Sequence, residues 1–212
     1  MQIENKGTKI STCRHVYEPS EDTFLLIDSL EYLNIKPRDN ILEIGTGTGI
    51  IALHAAKHAS HVTATDINPY ALECAKKNAE LNNIKNIQFI KSNLFANISK
   101  RYDIIIFNPP YLPQTKSETS DDIIDCAWNG GKDGRETTDK FLDQTSLYLK
   151  ETGQILILDS SKSKYKKTFD TLEKKGFTVK IVKRANLFFE ELVVILAKEC
   201  NYINNKKQKR HL

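Results

Sequence analysis

The chain switches repeatedly between two hydrophobic periods, and each switch marks the edge of an element. Residues 21–34 (EDTFLLIDSLEYLN) place Phe24, Leu25, Ile27, Leu30 and Leu33 at helical spacing. Asn40–Ile44 reads as a short apolar strand, followed by a glycine-rich turn and a helix over 49–58. His61–Thr65 predicts a second strand. Pro69–Leu81 predicts a helix, with Pro69 in its first turn, where the missing N–H is not needed. Asn86–Lys91 and Asp103–Phe107 read as the third and fourth strands. Leu112–Arg135 is polar, carries Gly130, Gly131 and Gly134, and breaks the rhythm; a loop this long inside a compact domain is either functional or mobile. Helix, strand and helix resume over 136–149, 154–159 and 163–175, and Phe177–Arg184 and Glu190–Lys198 close the pattern as two adjacent strands. Strands that alternate with helices predict an α/β fold around a largely parallel sheet.

At 212 residues, 40% apolar and 27% charged, the composition is that of one globular domain, expected over 1–200. Residues 1–34 would form an N-terminal extension that ends in a helix and covers the cofactor site as a lid. Lys206, Lys207, Lys209 and Arg210 make 201–212 a basic stretch without apolar periodicity, expected to be a flexible tail. That tail suits either contact with RNA or a ribosome-associated partner, or simple solvation. No run approaches the ~20 apolar residues that span a bilayer, and the polar N-terminus lacks a signal-peptide plan. A cytoplasmic protein with no membrane association is expected. Cys13, Cys74, Cys126 and Cys200 form no CxxC pair, so free structural thiols and no metal site are expected.

Leu42-Glu43-Ile44-Gly45-Thr46-Gly47-Thr48-Gly49 joins the first strand to a helix. Glycines belong there because the turn is tight and a ligand must lie on bare backbone. The third glycine of a dinucleotide fingerprint would fall one place later, at Ile50. Glu43 would repel a pyrophosphate but suits a ligand carrying an ammonium and a sulfonium, as S-adenosyl-L-methionine does. Asp66 ends the second strand, where an acid accepts both ribose hydroxyls. Asn93 and Leu94 follow the third, and Asn93 offers the adenine either its side chain or its backbone. Each feature alone has a bland reading as a tight turn or a helix cap; together in one βαβα unit they point to a nucleoside cofactor.

Asn108-Pro109-Pro110-Tyr111 directly follows the fourth strand. The prolines stiffen the backbone and leave carbonyls without neighbouring N–H groups. An Asn oxygen and a proline carbonyl can grip an N–H₂ group, and Tyr111 offers a flat face for a planar amide or base. Accepting both N–H protons helps localise a delocalised nitrogen lone pair toward an incoming methyl group. Alignment and electrostatics then supply the catalysis, without a dedicated base.

At these motifs, and at Tyr17–Phe24, Asp66-Ile67-Asn68 and Trp128–Glu136, the chain resembles the HemK/PrmC family of protein glutamine methyltransferases, and within it the archaeal and eukaryotic HemK-like branch. The resemblance runs over nearly the whole chain. It implies a Rossmann-like class I methyltransferase fold: a seven-stranded, mostly parallel sheet with an antiparallel final strand and helices on both faces. It implies methylation of the glutamine in the Gly-Gly-Gln motif of a class-1 translation release factor. Thr23, Glu43, Gly45, Gly47, Gly49, Asp66, Asn93, Leu94 and Asn108 would hold the cofactor, and Asn108, Pro109 and Tyr111 the substrate, with Pro110 completing the catalytic loop. The family often has Asp where this chain has Asn93. The branch also implies a small zinc-binding activator subunit, for which the third strand, Ile87–Ile90, would be the available edge; that edge is equally readable as protected by its own loops.

Three other readings compete. The same NPPY chemistry serves the exocyclic amine of adenine in DNA or RNA, but little basic–aromatic interleaving exists outside the tail. A nicotinamide-dependent oxidoreductase conflicts with the glycine spacing. A non-catalytic adaptor would have no use for the intact NPPY. Ser20 is expected to cap the helix that follows it, with Glu21 and Asp22 favouring its N-terminus, and Lys162, Lys164, Lys166 and Lys167 to form a solvated face.

Overall fold

The structure, a computed structural model, describes residues 2–114 and 127–199. Cys126, Cys200 and the basic tail lie outside the described residues. In chain order the elements are β1 (Gln2–Asn5), β2 (Thr8–Ser11), α1 (Glu21–Asp28), a 3₁₀ turn (Ser29–Leu33), β3 (Asn40–Ile44), α2 (Ile50–Ala56), β4 (His61–Asp66), α3 (Pro69–Leu81), β5 (Ile87–Lys91) and β6 (Tyr102–Phe107). They continue with α4 (Glu136–Tyr148), β7 (Leu149–Ser160), α5 (Tyr165–Lys174), β8 (Phe177–Leu187) and β9 (Glu190–Glu199).

Seven strands form one sheet in the order β5-β4-β3-β6-β7-β9-β8, and only β9 runs against its neighbours. The central strands read as continuous apolar runs because both faces are covered. Ile41, Ile104, Ile106, Leu156 and Val194 pack on the α1–α2 side, while Leu42, Ile105, Ile155, Ile157 and Val193 pack against α4 and α5. One apolar residue after another therefore feeds alternate cores, as the period of two requires.

Local details depart from the pattern. The expected helix over 21–34 tightens into a 3₁₀ turn from Ser29. Ser20 occupies the cap position, but its hydroxyl donates to Glu21 Oε2 and makes no cap bond. The β1–β2 hairpin has no counterpart in the sequence pattern. Asn78 on α3 and Asn82 at its C-cap complete its edge: their Oδ1 atoms accept from Ser11 N and Lys9 N, both at 2.9 Å. Cys13 and Cys74 are joined as a disulfide with a Cα–Cα distance of 6.0 Å, so the expectation of free thiols fails for this pair. The bond fastens the segment after β2 to α3, a proximity that 61 residues of separation concealed. Among the described residues, no helix is long and apolar enough to cross a membrane.

Candidate active site

A cavity of about 310 Å³ opens at the carboxyl ends of β3, β4, β5 and β6. Parallel strands bring their following loops to this one edge, which is why residues from Val16 to Lys140 line it together. The wall includes Thr23, Gly45, Gly47, Asp66, Asn93, Leu94, Asn108 and Pro110. Eight of the residues expected from the sequence are thus assembled in one place.

The glycine turn divides its labour. A Cβ on Gly47 would meet nothing within 4 Å, and one on Gly45 would touch only atoms at 3.8 Å. Their bare backbone therefore faces open space. Gly49 differs: at φ +85° its Cβ would come within 2.8 Å of the Ala75 Cβ. Gly49 is needed for α2 to pack against α3, and it is not among the residues that border the cavity.

Glu43 also lies off the cavity wall. It is buried behind the turn, where its Oε2 accepts from the Thr46 hydroxyl and its Oε1 has no partner. Burial pushes its carboxyl up to about 8, opposed by the Thr46 bond and reinforced by the nearby Asp66 charge. Asp66 is on the wall. Its Oδ2 accepts from Gly47 N and its Oδ1 from Asn68 N, each at 2.9 Å, and burial raises its pKa. Those two bonds hold the turn and the cap of α3 in register while leaving lone pairs on both oxygens.

The NPPY segment is braced from two sides. Asn108 Nδ2 donates to Asp22 Oδ2 at 3.3 Å, and Asn108 Oδ1 is buried without a partner. Asp22 and Thr23 enter from α1, where Thr23 N donates to Asp22 Oδ1 at 2.6 Å. Burial raises the Asp22 pKa, and the hydrogen bonds from Thr23 and Asn108 oppose that rise. The same carboxylate acts by charge and hydrogen bonding on Tyr111, whose phenol is raised chiefly by burial, and on Tyr17, pushed up to about 12 for the same first reason.

On the other side, 128–134 lies directly on the loop. Leu112 N donates to Trp128 O at 3.0 Å and Gly130 N to Leu112 O at 2.9 Å. A Cβ on Gly130 would meet Pro110 O at 2.7 Å, and one on Gly134 would meet Tyr111 O at 2.4 Å. Only glycine permits this approach. The Gly130 backbone thus lies close beside the Pro110 carbonyl. Pro109 and Tyr111 are not on the cavity wall; the Tyr111 ring packs against the α1–α2 core. Fully buried Arg135 anchors the far end of this segment, donating to Asp139, Ser163 O and Thr168.

Tyr17, Asp22, Asn129 and Lys140 also border the cavity; the first three lie in stretches that the sequence singled out without giving these side chains a role of their own, and Lys140 lies in none. Asp22 was legible as a favourable charge at a helix N-terminus and as part of the Tyr17–Phe24 stretch, but not as the partner of Asn108, which lies 86 positions away.

Residues 20–189 match the methyltransferase small domain family. A Methanocaldococcus jannaschii protein assigned as a protein N5-glutamine methyltransferase is 46% identical over 198 residues, covering 93% of this chain and 98% of that protein. Human methyltransferase HEMK2 is 30% identical over 169 residues, 76% of this chain and 79% of its own. The solved E. cuniculi Mtq2–Trm112 complex, described as responsible for methylating the eRF1 translation termination factor, superposes with a TM-score of 0.71 at 28% identity, over 88% of this chain and 99% of that one. The chain belongs to the methyltransferase small domain family and, within it, to the HemK-like protein N5-glutamine methyltransferases.

Proposed function

We propose that this chain methylates the side-chain amide nitrogen of a glutamine in a translation release factor, with S-adenosyl-L-methionine as methyl donor. The observation that carries the reading is Asn108: it borders the cavity, its Nδ2 is engaged by Asp22, and its buried Oδ1 lacks a donor. A buried oxygen left unpaired costs about 1–3 kcal/mol. The N–H₂ of an incoming amide supplies the missing donor.

The donor fits what surrounds it. Bare backbone at Gly45 and Gly47 borders open space. Asp66 and Asp22 sit on the wall with carboxyls raised by burial, a condition that a cationic ligand relieves. Asp66 would hold the ribose hydroxyls, Asn93 and Leu94 the adenine, and Thr23 the amino-acid end. When bound, the group supplies an electrophilic methyl on positively charged sulphur. The chain's own part is to hold the amide. Asn108 Oδ1 takes a hydrogen bond from its N–H₂, the Pro109 carbonyl would take a second once the amide is seated, and the nitrogen lone pair is directed toward the donor. Tyr111 steadies Asp22 from the core side. An exocyclic adenine amine would meet the same two acceptors and is the competing substrate.

The β5 edge, Ile87–Ile90, ends the sheet, with no further strand beside it among the described residues, and is the proposed place for a small zinc-binding activator subunit. Trm112 in the E. cuniculi complex motivates that choice. A translation factor as substrate suits a cytoplasmic protein.

The test is incubation with methyl-labelled donor, with a Trm112-type subunit present. The acceptors are a release factor, its acceptor-Gln variant, and adenine-containing DNA and RNA. Label on the intact factor alone is expected. Label on both proteins, on neither, or on nucleic acid overturns the reading.

A further inference from the structure

Among the described residues, the two most exposed large apolar side chains are adjacent. Phe188 is 91% and Phe189 89% exposed, with ring centroids 4.6 Å apart in an edge-to-face pair. They form the two-residue turn of the β8–β9 hairpin, between Leu187 and Glu190, and Leu187 extends the apolar surface. Asn-Gly or similar pairs normally fill such turns, because the backbone needs positive φ. Phe189 sits at φ +67°, a conformation that a bulky residue adopts at a cost of about 1 kcal/mol or more.

The turn is held rigidly. Arg184 Nη1 donates to Glu191 Oε1 at 2.6 Å, Ser161 N to Glu191 O at 2.8 Å, and Glu191 N to Ser161 Oγ at 3.0 Å. Lys162 pairs with Glu190, and Lys183 ties β8 to Asp28 of α1. The aromatic pair is thus displayed on a fixed base.

Register places that display. Phe107, the last residue of β6, pairs with Ile157, so the NPPY loop begins level with Leu158, two residues before Ser160. Ser160 in turn pairs with Leu192 of β9. Phe189, three residues before Leu192, therefore projects about 10 Å beyond the end of β7, on the edge of the sheet where the NPPY loop also lies. With β7 between β9 and β6, it stands about 10 Å to one side. The Glu190 charge, next to Phe189, reaches Tyr111.

Resting on the proposed acceptor, we infer that the Phe188–Phe189 turn is a docking point for an apolar patch on the protein substrate, beside the loop that carries the acceptor glutamine. A whole protein reaches this turn while its loop occupies the cavity. A short peptide in the cavity does not.

Replacing Phe188→Asn together with Phe189→Gly keeps a favoured turn sequence, so folding is retained. With the intact release factor, KM is expected to rise about tenfold or more at unchanged kcat. With a short peptide bearing the acceptor glutamine, both constants stay as in the unmodified enzyme. An unchanged KM for the intact factor overturns the docking role, as does an equal loss on the peptide. If sedimentation shows that the substitutions dissociate a homodimer while KM holds, the turn is a self-association contact instead. An unmodified enzyme that labels neither factor nor peptide removes the acceptor assignment, and the docking point with it.

Discussion

Asn108 donates through Nδ2 to Asp22 Oδ2 at 3.3 Å, a bond between the end of β6 and the first turn of α1, 86 positions apart. An amide has one donor end and one acceptor end. Giving the donor end a carboxylate turns the acceptor end away from it, and this leaves Oδ1 without a partner. Asp22 is therefore a positioning residue. Asp22→Ala is expected to lower kcat about a hundredfold, since small misplacements of a reacting group have effects of that size. Asp22→Asn keeps an acceptor oxygen and should retain more activity. Asn108→Ala should lose most methyl transfer at nearly unchanged donor affinity. Calorimetry with the donor and single-turnover rates check all three; equal loss of affinity and rate in Asn108→Ala would contradict its assigned role.

Gly47 and Gly49 should separate ligand binding from folding. Gly49→Ala drives a methyl to 2.8 Å from the Ala75 Cβ and is expected to destabilise the protein by about 1–3 kcal/mol. Gly47→Ala meets no protein atom within 4 Å. It should cost only about 1 kcal/mol of backbone strain but weaken the donor about tenfold or more, because the methyl enters the ligand's space. Denaturant titration and donor titration of both variants distinguish the outcomes.

Glu43 predicts an inverse pH dependence of stability. Its carboxyl is pushed from 4.5 up to about 8 by burial, so the folded ligand-free protein keeps a proton that the unfolded chain has released. Its contribution is fully present below pH 4.5, declines as pH rises toward 8, and is gone above. At about 1.4 kcal/mol per unit the loss amounts to several kcal/mol. Glu43→Gln should flatten this window, as measured by unfolding midpoints across it.

The Cys13–Cys74 bond should matter to both stability and ligand. It closes a 61-residue separation and fastens the segment carrying Val16, Tyr17 and Pro19 of the cavity wall. Cys13→Ser is expected to lower unfolding free energy by about 2–4 kcal/mol and to weaken donor binding. A reductant should do the same to the unmodified protein and nothing to the variant.

The strands and helices of the seven-stranded sheet, though not the β1–β2 hairpin, and the turns that reach the cavity were legible in the chain's own pattern. Ile104–Phe107 is apolar throughout because both sheet faces are covered, and Gly45 and Asn108 follow strands because parallel sheets put their loops at one edge. Such features depend on neighbours a few residues away, so they can be read in one dimension. The pairing of Asp22 with Asn108, the hairpin edge completed by Asn78 and Asn82, and the Cys13–Cys74 bond depend on which elements the sheet order brings together. So do the withdrawal of Glu43 and Gly49 from the cavity wall and the reach of Phe188 and Phe189 beside it. A side chain's local period says which face it occupies; only packing in three dimensions decides what stands opposite.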